Sequence, residues 1–189
     1  MRSLFQEEAV IKCPKSTGLF SHAVNMFDNN KGYRDDKEIT DEIWFFFDIE
    51  EANRLQWDKL LKMIKKIRRM RNPQIRIRLL MTKACLEYWL LLHYERVAPN
   101  IATPAEKENV ETKLKKHVPN YRKGDQASVD LIVEKCEAAV ENGKWVLSNL
   151  INVGLPCLED TDDRNQWLYH CTNTFTTAHE AIEFLINLK

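Results

Sequence analysis

The sequence predicts an α/β fold with a largely parallel sheet in its first half and a helical second half. Two observations carry that prediction. From residue 9 to residue 80, short apolar runs alternate with amphipathic stretches in the order strand, helix, strand, helix, strand, an order that implies right-handed crossovers between parallel strands. Beyond residue 83, the apolar residues recur only at helical spacing.

The elements follow in order. Ala9 to Cys13 reads as a short strand, stopped by Pro14 and the turn-forming Ser16, Thr17 and Gly18. Leu19 to Asp28 places Phe20, Ala23, Val24 and Phe27 at helical spacing. Residues 29–40 are polar and read as an exposed loop. Glu42 to Asp48 is a strand whose five bulky apolar residues, Ile43 to Phe47, suit cover on both faces. Glu51 to Met70 is an amphipathic helix with Trp57, Leu60, Leu61, Ile64 and Ile67 on one face, ended by Asn72-Pro73. Ile75 to Leu80 alternates apolar residues with Arg76 and Arg78, a strand with one basic face.

Lys83 to Tyr94 is apolar almost all round and reads as a buried helix. Thr103-Pro104-Ala105-Glu106 is a capping box that opens a helix reaching about His117. One helix then holds Val129, Ile132, Val133, Cys136, Ala139, Val146 and Leu150 in register, with Gly143 its weak spot. Residues 151–163 read as a loop, and residues 176–188 as the last helix. Residues 1–98 are therefore expected to form the α/β core, and residues 99–189 a helical extension packed on it.

Composition narrows the function classes. The 189-residue chain is 44% hydrophobic and 30% charged, enough apolar content for a sizeable core. Its formal net charge is zero, so a nucleic-acid surface would have to be a local patch. Five scattered cysteines without a C-x-x-C pair argue against a disulfide scaffold or zinc ribbon. No signal peptide or membrane span is apparent, so a cytoplasmic location is expected. P-loop, G-x-G-x-x-G and G-x-S-x-G motifs are absent from the sequence.

Three features could carry chemistry. Asp48, Glu50 and Glu51 follow the aromatic strand, where α/β sheets place ligands and metals; the same acids could simply open the next helix. Glu87 sits among large apolar residues and needs a partner or a metal, with Lys83 or an arginine of the preceding strand as ordinary salt-bridge partners. His93 would point about 120° away from Glu87 in a regular helix, so the two share a site only if the helix ends or bends between them. Finally, Lys59 to Arg78 contains nine basic residues and no acid. Lys62, Lys66, Arg69, Arg76 and Arg78 could track phosphates, or could be a solvated face with the two arginines guarding an edge strand. Tyr121-Arg122-Lys123-Gly124 is a further basic turn.

An aromatic strand ending in Asp48-Ile49-Glu50, a helix, a strand and then C-L-E-Y-W-L-L-L-H-Y from Cys85 resembles the RloB-like family. Cys85, Glu87, Trp89, Leu90, Leu91, Leu92 and His93 match that family's phrase; Tyr121-x-Lys123-Gly124 resembles its Y-x-K-G, and Asn173-Thr174 its N-P-S-T segment. The resemblance implies a three-layer Toprim-like core and a role in phage defence by abortive infection, beside an RloA-like AAA ATPase partner. It further implies Mg²⁺ or Mn²⁺ held by Asp48, Glu50 and Glu87, with His93 lining the same site, for phosphodiester cleavage of DNA or RNA. Lys123 would join the nucleic-acid contacts. The family's opening strand, ending in a glutamate within C-E-G-x-T-E, has no counterpart here, and Glu50 stands where the family has aspartate. An incomplete site is the resulting expectation. A non-catalytic regulatory subunit of the ATPase is the other function the resemblance allows.

Overall fold

A computed structural model describes residues 18–35, 42–49, 57–83 and 85–187. The expected strand at Ala9–Cys13 lies outside the described residues, as do Glu50 and Glu51. The elements are α1 (Leu19–Asn29), α2 (Lys31–Asp35), β1 (Glu42–Ile49), α3 (Trp57–Arg68), β2 (Arg76–Lys83), α4 (Leu86–Leu91), α5 (Pro104–His117), α6 (Gln126–Val133), α7 (Cys136–Ile151), α8 (Asp162–His170), β3 (Phe175–Thr176) and α9 (Ala178–Asn187). The fold is α/β around a small mixed sheet of order β1-β2-β3.

Two compact units divide the chain: Met1–Ile43 with Asp58–Ile77, and Trp44–Trp57 with Arg78–Lys189. In the first, α3 buries Leu60, Ile64 and Ile67, the stripe its amphipathic spacing prescribes, and α1 buries Phe20 and Phe27. Ser21 of α1 donates to the Met63 thioether of α3, and the Lys66 ammonium stands 2.8 Å from Asp28.

In the second unit, α7 packs on α9 and β3, and α4 packs on α5 and α7. Leu114, Val118, Tyr121 and Ile132 form a buried cluster. The capping box is present, with the Thr103 hydroxyl accepting from the Glu106 N–H and the Glu106 carboxylate from the Thr103 N–H. Asn142 of α7 donates to the Leu92 carbonyl at 2.7 Å and accepts from Arg96 at 2.9 Å, so it fixes the chain leaving α4.

Several expectations change. The sheet is small and mixed rather than largely parallel, and the second half contains a strand, because β3 returns antiparallel to β2 with Thr82 opposite Thr176 and Lys83 opposite Phe175. That pairing extends β2 to Lys83, which the sequence assigned to a helix, and α4 starts only at Leu86. β2 lies between β1 and β3, but β3 pairs only with Thr82 and Lys83, at the far end of β2 from Arg76 and Arg78. Arg76 meets Glu42 at 3.4 Å, and the Arg78 guanidinium lies 5.0 Å over the Phe184 ring. β1 is not covered on both faces: Phe45 is 2% exposed and Phe46 54%. The long helix of the second half breaks between Val133 and Cys136, not at Gly143. Part of the expected polar loop before β1 is the short helix α2.

Candidate functional site

Glu87 is the centre of the site. Cys85 caps α4 in an extended conformation and turns the chain from the sheet into the helix, which leaves Glu87 in the first turn and buried. A buried carboxylate must find compensating donors. The Lys123 ammonium stands 3.0 Å from its Oε1, and the Tyr121 hydroxyl donates to the same oxygen over 3.4 Å. The Cys85 thiol and the Glu87 backbone N–H also hydrogen-bond the Glu87 carboxylate. Burial pushes the Glu87 carboxyl up, yet these donors outweigh it and hold the group below its ordinary value. Lys123 moves the other way, raised chiefly by its hydrogen bond to Glu87. Burial, reinforced by the Glu87 charge, pushes Tyr121 up to about 12, so its hydroxyl stays a donor.

The Lys123 turn is anchored on both sides. Tyr121 is packed in the buried cluster with Leu114, Val118 and Ile132, and its N–H bonds the Val118 carbonyl at 2.9 Å. Gly124 adopts φ 79°, a left-handed conformation that suits glycine and swings the chain directly into α6. Asp125 caps α6 through the Ser128 N–H, while the Ser128 hydroxyl accepts from the Arg122 N–H. Lys123 itself extends into solvent, its side chain 75% exposed, and reaches the Glu87 side chain, only 8% exposed.

Asp48, near the end of β1, is exposed. Its charge is a lesser contribution to raising Lys123, behind Glu87, and to raising Cys85, behind burial. His93 has other neighbours. α4 ends at Leu91, and the following turn aims the His93 ring at the start of α7. Its Nδ1 is 3.1 Å from the Trp89 carbonyl, so Nδ1 carries the proton; Nε2 faces the Cys136 thiol at 3.9 Å. Burial lowers His93 to about 4, leaving the imidazole neutral. Glu87 and His93 thus face different neighbours, one the Tyr121–Lys123 turn and the other α7.

The partner of Glu87 that the structure displays is Lys123, neither Lys83 nor an arginine of β2. No local spacing links positions 87 and 123; the only signal was the Tyr121-x-Lys123-Gly124 turn itself. Among the described residues, no three His, Cys, Asp or Glu side chains form a group that could hold a metal ion. Glu87 carries a hard oxygen donor, and the Lys123 ammonium already stands beside it.

In the other unit, Lys62, Lys65, Lys66, Arg69 and Met70 line a shallow cleft of about 340 Å³. Lys62, Lys66 and Arg69 therefore share one concave surface, with Lys66 already paired to Asp28. Among the described residues, no helix is long and apolar enough to cross a membrane.

No curated protein and no solved structure gives a match to this chain. The model of the RloB-like protein family does match, over residues 5–185, which takes in α1 to β3, the Glu87–Lys123 pair, the basic cleft and nearly all of α9. The chain belongs to the RloB-like protein family.

Proposed function

We propose that this RloB-family protein acts on nucleic acid in phage defence, with a divalent cation, Mg²⁺ or Mn²⁺, held by Asp48 and Glu87 in a Toprim-like core. One observation carries the reading. An ionised, buried carboxylate at Glu87 has drawn in a cation, Lys123, from a distant turn. Glu50, beside Asp48 in sequence, is the third oxygen donor in this reading. When bound, the cation supplies neutralisation of the negative charge that develops on a phosphate during phosphodiester cleavage. The chain's own residues orient that site: Tyr121 and Cys85 hold the Glu87 carboxylate by donated hydrogen bonds, and the Gly124 turn keeps Lys123 beside it. The basic cleft on α3 offers the cations to follow a DNA or RNA backbone.

Calorimetric titration of Mg²⁺ and Mn²⁺ into the wild-type chain and into Asp48→Asn with Glu87→Gln tests the reading. Binding is expected in the wild type and lost in the variant. A wild type that takes up neither ion would remove the cation site from this chain.

A specific observation also favours a second function, a non-catalytic subunit that docks on an RloA-like AAA ATPase. Lys123 already neutralises Glu87, as a purely structural ion pair would. Under that function, neither the wild type nor any Lys123 variant binds the ions.

A further inference from the structure

We infer that Asp28 restrains the cleft on α3: it holds the Lys66 ammonium away from a phosphate chain and leaves Lys62, Lys65 and Arg69 as the free cations. The inference rests on the reading of that cleft as a nucleic-acid surface, given above, and is independent of the cation site. Lys62, Lys65, Lys66 and Arg69 line one concave surface of about 340 Å³. Among the described residues, Lys62, Lys65 and Arg69 form no ion pair, whereas Lys66 stands 2.8 Å from Asp28 of α1. The negative end of the helix dipole favours cations in the last turn, which accounts for Lys65 and Lys66 but not for Lys62 or for Arg69 past the helix end. Unneutralised cations gathered in one hollow call for an anion.

The chemistry of the cleft suits a run of phosphates. Among the described residues that line it, all but Met70 are cationic, and none offers an aromatic ring on which a base could stack. Lys62 to Arg69 spans about 10 Å at a rise of about 1.5 Å per residue. One strand sets a phosphate about every 3.4 Å, so about three phosphates lie along that length. The free cations match them in number, and a further cation is at hand but engaged. Both members of the Lys66–Asp28 pair are about half exposed. Such a pair is worth at most about fivefold in an equilibrium, so a phosphate can compete for the ammonium. Asp28 thus opposes binding twice, by occupying Lys66 and by repelling phosphate oxygens.

The test is titration of the wild-type chain, Asp28→Asn, and Asp28→Asn with Lys66→Ala into a labelled short oligothymidylate, followed by anisotropy at several salt concentrations. EDTA is present throughout, so that no outcome depends on a divalent cation. Asparagine keeps the shape and one acceptor oxygen of Asp28, and thermal melts verify that the variants fold. Asp28→Asn is expected to bind about two- to fivefold more tightly than wild type at low salt. Its slope of log affinity against log salt is expected to steepen by about 0.7, the share of one further phosphate contact on a single strand. Adding Lys66→Ala is expected to cancel both gains. Binding by Asp28→Asn alone would also support the restraint. An affinity unchanged or reduced in Asp28→Asn, or a gain that survives Lys66→Ala, overturns the role of Asp28 and leaves the cleft standing as a nucleic-acid surface. Absence of binding by all three chains overturns that reading of the cleft and the inference together.

Discussion

Gly143 of α7 lies beneath the His179 ring of α9, so closely that a β-carbon at position 143 would come 2.7 Å from Nδ1 and 2.9 Å from the His179 β-carbon. In the sequence, this glycine reads as a weak point of a helix. In the structure, it is where two helices approach, and the missing side chain is what permits the approach.

Gly143→Ala is therefore expected to destabilise the protein although alanine is the better helix former by about 1 kcal/mol. The obstructing atoms include the His179 β-carbon, which rotation about the side chain cannot move away. Overpacking of this kind costs about 1–3 kcal/mol, read as a lower melting temperature. An unchanged or raised melting temperature would show that α7 and α9 can separate freely.

Acid should weaken the fold through two buried histidines. Burial lowers both His93 and His179 from 6.5 to about 4. A histidine depressed in the folded state binds its proton preferentially when unfolded, so its contribution is complete above pH 6.5 and is lost as pH falls toward about 4. The loss is on the order of 3 kcal/mol for each at the acid end of that window. Urea midpoints measured between neutral pH and pH 4 are expected to decline, and His93→Gln is expected to flatten that decline. A midpoint constant across the window would contradict the buried neutral state.

How much of this could be read from the chain depended on the kind of signal each element leaves. Thr103 with Glu106 and the apolar stripe of α3 are local patterns, and both are found where the spacing put them. The break between α6 and α7 was invisible because Lys135 makes a tight turn, its N–H bonding the Ile132 carbonyl, that leaves Ile132 and Cys136 both facing inward. α8 escaped because its buried residues include Arg164 and Asn165, so apolar periodicity is weak; its Thr161 cap and the acids Asp162 and Asp163 were the available clue. β3 is only two residues long, shorter than any alternation can mark. In the site, Glu87 was legible as an oddity in an apolar run, but its partner was not, since Lys123 reaches it through tertiary packing alone.

The buried Arg164 leads to a further expectation. It is 1% exposed and bonds the Glu180 carboxylate at 2.6 Å, Asp160 at 3.2 Å and the Leu158 carbonyl at 2.7 Å. It thereby ties α8, the loop before it and α9 into one network. Arg164→Ala strands two largely buried carboxylates and is expected to cost about 3–5 kcal/mol. Adding Glu180→Gln and Asp160→Asn to that variant should restore part of the loss, since the stranded charges are then gone. A melting temperature unmoved by Arg164→Ala would mean that the network contributes nothing to stability.

The last expectation concerns the basic cleft. Lys62, Lys66 and Arg69 face one concave surface of α3 and the turn after it, and Arg76 opens the following strand. If the cleft follows a nucleic-acid backbone, changing these four residues to Ala weakens binding of duplex DNA or RNA whatever its sequence. The slope of log affinity against log salt then falls by about 0.9 for each phosphate contact removed from duplex DNA. The substitutions lie on exposed side chains, and the Lys66–Asp28 pair is itself exposed, so folding should change by no more than about 1 kcal/mol. Electrophoretic or anisotropy titrations at several salt concentrations measure both affinity and slope. If both stay as in the wild type, Lys62, Lys66, Arg69 and Arg76 are a solvated helix face, and nucleic acid meets this protein elsewhere.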